Sequence, residues 1–209
     1  LNSARKKAMA VNCLSNLKST GGILASYSND YNSYFPPAMQ GDPAIIPWPT
    51  TLSSSGALKI TEKKGSGKPM NILVCPTQKP FHYDKPSFAY GIRAQQTTKG
   101  GAAVGNHAFR ISALFTDINP NDSENCKISP SRFIMLMDSV LDRPGTTNDG
   151  IQVSYATLFS NNSANYKLHL RHSKQANVWC ADGSARAVSN GGLTSDYEVD
   201  ETAICNRQF

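Results

Sequence analysis

No apolar run in the sequence approaches the ~20 residues that span a bilayer, so no transmembrane helix is expected within these 209 residues. Charge is scarce at 17% of residues, and the formal net charge is only +6. Arg5-Lys6-Lys7 and Lys63-Lys64 are the only tight basic runs. A nucleic-acid-binding chain would concentrate its cations and interleave aromatics, so that class is set aside. None of the five cysteines, Cys13, Cys75, Cys126, Cys180 and Cys205, forms a CxxC pair or a zinc-like spacing, and no structural zinc site is expected from them. Serine-nucleophile elbows, metalloprotease helix motifs and EF-hand spacing are absent too. So are internal repeats, and no strand–helix alternation calls for a parallel sheet. No signal peptide opens the chain: Leu1 already lies inside a helical pattern, and a cut from a longer protein is expected.

What remains is a chain long enough to bury roughly 70% of its unfolded surface around one core. Its hydrophobic share of 39%, with abundant glycine, proline, serine, threonine and asparagine, suits a loop-rich α+β domain better than a helical bundle.

The first thirty residues carry the clearest pattern. Apolar or aromatic residues at Ala4, Ala8, Val11, Leu14, Leu17, Leu24, Tyr27 and Tyr31 follow helical periodicity, with Arg5, Lys6, Lys7, Asn12, Asn16 and Lys18 opposite. Gly21-Gly22 predicts a kink or a close packing contact, and Pro36-Pro37 must end the helix. Two parts of one globular unit follow, a helix over 1–35 and a sheet domain over 36–209. Trp48 and Leu52 are core anchors within a Pro/Ser/Gly/Thr-rich stretch. Asn71–Cys75, Ser87–Ala94 and Ala108–Phe115 are strand candidates, with a glycine-rich link over Lys99–Gly105, and Arg132–Asp138 reads as a central strand. Two strand-like runs, 176–181 and 184–189, flank Asp182-Gly183, which predicts a hairpin with a two-residue type I′ turn.

Several patterns invite sharper chemistry. His172 and Cys180 could make a Cys–His nucleophile pair, but Cys180 falls mid-strand, so packing or cysteine pairing is the better expectation. His169 and His172 would suit a metal on a helix, yet they precede a strand, and a structural His172 at the hairpin base is expected instead. Trp48 and Trp179, with eight tyrosines, could offer a carbohydrate platform. Trp179 is out of phase with Val178 and Cys180, so one face of that strand is expected to be exposed or loop-covered.

Four separated features together resemble a known family. Residues 1–37 resemble the region that follows the membrane segment in proteins with prepilin-type cleavage signals, through Cys13-Leu14-Ser15-Asn16-Leu17-Lys18 and the Tyr27-to-Pro37 stretch. Val74-Cys75-Pro76 and Ser87-Phe88-Ala89-Tyr90-Gly91 are similar to its Cys-Pro and Ser-Tyr-Gly segments. His172, nine intervening residues and Asp182-Gly183 match its H-x9-DG motif, with His172, Asp182 and Gly183 read as structural. The family is similar to the major pseudopilin of type II secretion.

The resemblance implies a pilin-like α+β fold, a long N-terminal helix packed on an antiparallel sheet with long irregular insertions. It implies a non-catalytic filament subunit of a type II secretion or type IV pilus-like system. Such a protein is inner-membrane anchored through an apolar segment cut by a prepilin peptidase and then methylated. Its domain faces the periplasm or the exterior, and other pseudopilin subunits and the secretion machinery are its partners. The alternative is a membrane-anchored extracytoplasmic binding module, with polysaccharide as a possible ligand. A periplasmic setting permits disulfides, and Cys13–Cys75 is then the natural helix-to-sheet pair, while Cys126, Cys180 and Cys205 stay unassigned. No cofactor is implied except calcium, which relatives hold in a C-terminal loop. Here Asp196 and Asp200, near Glu198 and Glu201, are the candidate ligands.

Overall fold

The computed structural model describes residues 2–40, 46–59, 71–94, 129–158, 165–197 and 199–208. The strand candidate at 108–115, the 99–105 link, Lys63-Lys64, Cys126 and Glu198 lie outside them. Helix α1 runs Asn2–Asp30 and ends ahead of Pro36-Pro37, as the proline rule requires. Ten strands and two further helices follow in the described chain. Short β1 (Met39–Gln40) and β2 (Ile46–Pro47) pair with each other and lead into helix α2, Trp48–Ser54. The main sheet holds β3 (Gly91–Arg93), β4 (Ile134–Met137), β6 (Tyr155–Ala156), β8 (Gln175–Cys180) and β9 (Ala185–Ser189), in the order β6-β3-β4-β8-β9. A smaller sheet orders β10 (Ile204–Cys205), β7 (Tyr166–His169) and β5 (Ser139–Leu141). Helix α3, Asn190–Ser195, follows β9.

The architecture is α+β with an N-terminal helix on a sheet, but the sheets are mixed. The β3–β6 and β10–β7 pairs are parallel, against the antiparallel expectation. Each of these pairs includes a two-residue strand supplied by a return of the chain along a sheet edge, too short to show as a pattern. Asn71–Leu73 is a 3-10 turn and not a strand.

β4 sits at the centre, buried on both faces. Phe133 and Met135 face the α1 side, and Ile134 faces the other. A bulge between Ile134 and Leu136 then breaks the two-residue period, so Leu136 joins the α1 side and Met137 the opposite one. β8 is likewise double-faced: Trp179 lies under α1, while Val178 and Cys180 pack on the side of Leu193, Tyr197 and Val199. Of the two alternatives for the strand, an exposed face or a covered one, the second holds: the segment after β9 covers Val178 and Cys180.

α1 docks through Cys13, Leu17, Thr20, Gly21, Leu24, Tyr27 and Ser28, all buried. Val11 and Tyr31, assigned to the apolar stripe by periodicity, are 65% and 42% exposed. The docking stripe is rich in small and hydroxylated residues because it meets backbone as well as side chains. Thr20 Oγ1 donates to the Ile72 carbonyl at 2.6 Å, and Asn16 Nδ2 to the Val74 carbonyl at 3.2 Å. Gly21 is the close contact, since a Cβ there would sit 2.4 Å from the Trp179 ring.

The hairpin at Asp182-Gly183 exists, but its turn differs from the expected type I′. Gly183 N–H bonds the Cys180 carbonyl and Cys180 N–H the Ser184 carbonyl, enclosing a three-residue loop, Ala181–Gly183. Only Gly183 has positive φ, at 84°. This is a type I turn followed by a left-handed glycine. Asp182 Oδ1 instead accepts from Ser184 N (2.9 Å) and Oγ (2.6 Å). The Gly183 carbonyl accepts the Trp179 indole N–H at 3.1 Å, so the turn fixes the ring on which α1 rests.

The type I′ turn lies nine residues earlier, at Ser173-Lys174, with φ of 52° and 65° and reciprocal backbone bonds between His172 and Gln175. Neither residue favours that region, so no local signal announces it. Gly183→Val is expected to lower stability by about 1–2 kcal/mol through backbone strain alone, since the space around it is open. Lys174→Gly is expected to raise stability by about 1 kcal/mol. Urea unfolding of the two variants checks both signs.

Candidate functional site

Four ligand-type side chains meet where α1 crosses the junction of the two sheets. They are Cys13 from α1, Cys75 after the 3-10 turn, Asp138 between β4 and β5, and His172 ahead of β8. Their Sγ, carboxylate and imidazole atoms all lie within 4.8 Å of one another, and all four residues are buried. Cys13 Sγ donates to Asp138 Oδ1 at 3.2 Å. His172 Nε2 lies 3.4 Å from Cys75 Sγ and 3.5 Å from Asp138 Oδ2.

A surrounding network holds these groups in place. The Asn177 backbone N–H donates to Asp138 Oδ2 at 2.7 Å. Thr77 Oγ1 is 3.0 Å from Cys75 Sγ. Tyr90 Oη donates to the Cys13 carbonyl at 3.1 Å and lies 3.2 Å from its sulfur. Arg171 donates from Nη1 to Gln152 Oε1 at 2.9 Å and from Nη2 to the Ser139 carbonyl, with Nε 3.8 Å from Asp138. Gln152 Oε1 in turn accepts the Cys75 N–H at 3.0 Å.

The electrostatics assign one thiolate to the pair of cysteines. Burial opposes ionisation of Cys75, but hydrogen bonds from Cys13 and His172, with Arg171 nearby, hold its thiol well below the ordinary range. Burial, together with Cys75 and Asp138, pushes Cys13 well up. Burial lowers the His172 imidazole, yet Cys75 and Asp138 outweigh it and leave it raised. Burial raises Asp138 against the pull of Arg171. Arg171 and His172 thus favour the charged forms of Cys75 and Asp138 against the cost of burial.

A cleft of about 460 Å³ adjoins the cluster, lined by Lys6, Met9, Phe81, Arg171, His172 and Gln208 among others. His172 reaches it; Cys13, Cys75 and Asp138 do not line it. The Cys75 sulfur is thus shut off from this cleft, and His172 uses the same nitrogen toward both sulfur and carboxylate. A nucleophile–base–orienter relay needs both ring nitrogens.

The other candidates fall elsewhere. Cys180 lies in the core on the far side of β8 and does not meet His172; burial raises its thiol to about 11. His169 is buried, donates Nε2–H to the Arg207 carbonyl at 2.9 Å, and is lowered by burial to about 3, apart from the four-residue group. The Cys13–Cys75 disulfide is not formed: both residues, like Cys180 and Cys205, are free cysteines, although the sulfurs of Cys13 and Cys75 are brought within 4.8 Å. Asp196 follows α3 as its C-cap, and Asp200 caps the 3-10 turn Glu201–Ala203 by accepting from Thr202 N and Oγ1. Among the described residues these two carboxylates join no group of metal-ligating side chains. Trp48 and Trp179 are 0% and 2% exposed and present no platform to a sugar.

Sequence reasoning found His172, Cys13 and Cys75 but missed Asp138, Arg171 and the meeting of all of them. The run Arg132–Asp138 does end on a carboxylate inside an apolar strand, a signal for a buried, partnered charge. No protein-family model matches the chain, and neither a curated protein sequence nor a solved structure does.

Proposed function

We propose that this chain is the extracytoplasmic part of a non-catalytic, pilin-like filament subunit. One observation carries the reading, the division of α1 into an undocked and a docked part. Ser3–Ala8 are all exposed, and the first fully buried side chain is Cys13. At 1.5 Å per residue, roughly 9 Å of helix stands clear before the half-buried Met9 and Ala10. Lys6 and Met9 line the cleft beside His172, and the Ala10 carbonyl accepts from Asn177 Nδ2 at 3.4 Å, where docking begins. Arg5, Lys6 and Lys7 all lie on these exposed turns. Exposed turns of helix ahead of the docked part suit a stalk that packs on neighbouring subunits.

The same reading supplies the inner-membrane anchor, the prepilin peptidase as processing enzyme, and other pseudopilin-like subunits as partners. The shielding of the Cys75 thiolate from the adjoining cleft supports the absence of catalysis. A polysaccharide-binding module finds no support in its two tryptophans, which are buried.

A photo-crosslinking residue at Val11, 65% exposed on the stalk side of α1, tests the proposal in membranes containing the full-length gene product. Irradiation is expected to give a ladder of multimers of this subunit. Monomer alone, at expression levels where the anchor is present, contradicts it.

A further inference from the structure

We propose that Cys13, Cys75, Asp138 and His172 form a tetrahedral binding site for a thiophilic divalent cation, zinc being the type case, which ties α1 to the sheet. Cysteine spacing gives no hint of it, because each ligand comes from a different part of the chain.

The geometry is that of a ligand set. Zinc–ligand bonds of about 2.0–2.3 Å at tetrahedral angles place neighbouring ligand atoms roughly 3.3–3.8 Å apart. The close approaches here are 3.2 Å from Cys13 Sγ to Asp138 Oδ1, 3.4 Å from Cys75 Sγ to His172 Nε2, and 3.5 Å from His172 Nε2 to the other carboxylate oxygen, Oδ2. All remaining pairs stay within 4.8 Å. A cation at the centre would take one carboxylate oxygen and draw the wider pairs together by up to about 1 Å. Two sulfurs, one imidazole and one carboxylate form a donor set that selects zinc over calcium or magnesium, which take oxygen ligands.

Charge closes as well. Two thiolates and one carboxylate with neutral His172 give three negative charges, and the dication with Arg171 gives three positive ones. The supporting bonds are already in place. Thr77 reaches the Cys75 sulfur, Tyr90 the Cys13 sulfur, and the Asn177 N–H holds the Asp138 oxygen that faces His172. The Ser173-Lys174 turn fixes the His172 backbone at some conformational cost, which is where strain at a binding residue is found. The adjoining cleft ends on His172 and gives an ion a way in. A Cys13–Cys75 disulfide is the competing use of the sulfurs, and it would leave Asp138 and His172 without their sulfur partners.

Cobalt(II) added to the reduced, chelator-treated protein is the probe. One equivalent is expected to produce the intense visible bands of tetrahedral cobalt and a thiolate-to-cobalt charge-transfer band, both abolished by zinc. Zinc is expected to raise the melting temperature with the logarithm of its free concentration. Cys205→Ser, at a residue outside the cluster, should leave the spectrum unchanged, whereas His172→Cys should keep a tetrahedral spectrum with a stronger charge-transfer band. Weak octahedral cobalt absorption in the folded wild type overturns the proposal without recourse to any variant. So does a Cys13–Cys75 disulfide, with no bound metal, in protein isolated without reductant.

Discussion

Gly21→Ala is expected to destabilise the protein by about 1–3 kcal/mol, although alanine is the better helix former by about 1 kcal/mol. The added methyl would lie 2.4 Å from the Trp179 ring. That ring cannot yield easily. Its N–H is bonded to Gly183, Phe35 packs edge-on at 6.1 Å, and the residue is 2% exposed in a strand buried on both faces. The helix must lift or the indole must shift, and either opens the core around Leu17 and Leu24. Gly22→Ala is the internal control. A Cβ there meets nothing within 4 Å, so the same change should stabilise by up to about 1 kcal/mol. Two adjacent, chemically identical substitutions therefore have opposite signs. At about 2–4 °C per kcal/mol for a chain of this size, thermal unfolding separates them easily. Stabilisation by both would mean that α1 does not rest on Trp179.

Asp138→Ala is expected to cost about 3–5 kcal/mol in reduced, metal-free protein. The carboxylate is fully buried and faces Arg171, His172, the Cys13 thiol and the Asn177 N–H. Its removal leaves the Arg171 guanidinium without its anion and a main-chain donor without its acceptor. It also sits where the chain leaves the main sheet for the smaller one, with its N–H on Asn177 and its carbonyl on the His169 N–H. Those main-chain bonds survive the substitution, so the loss falls on the side-chain contacts to β8 and α1. Arg171→Met in the same protein should restore part of the loss, because the orphaned charge is gone. Urea unfolding of the two single variants and the double variant measures this. A cost for Asp138→Ala below about 1 kcal/mol would place the residue among ordinary surface carboxylates.

The helix and the central strand could be read from sequence because each is long or continuous enough to show its period. Which face of α1 docks could not. A hydrophobic count favours Val11 and Tyr31, whereas the contact uses Gly21 for close approach to Trp179 and Thr20 to bond the Ile72 carbonyl, with Ser28 buried and bonded back to the Ala25 carbonyl. The I′ signal at Asp182-Gly183 located a hairpin but not its turn, because Ser184 supplies Asp182 with two local bonds that suit the type I form. Two-residue strands such as Tyr155–Ala156 carry no pattern at all, and with them the parallel pairings were hidden. Of the cluster, Cys13, Cys75 and His172 were visible as residues of note, but their convergence on Asp138 depends on how α1 crosses the sheets. No spacing in the chain encodes that.

Hydrogen exchange along α1 tests the central claim, that the helix is one half anchor to the domain and one half stalk for assembly. It should be measured on this chain alone and on the full-length protein in its assembled form. In the isolated chain the amides of residues 17–28 should exchange only near global unfolding, while those of residues 3–9 should exchange fast. In the assembly the second set should become slow and the first remain so. Fast exchange of residues 3–9 in both forms, or protection of the whole helix already in the isolated chain, would contradict the division of α1 on which the functional reading stands.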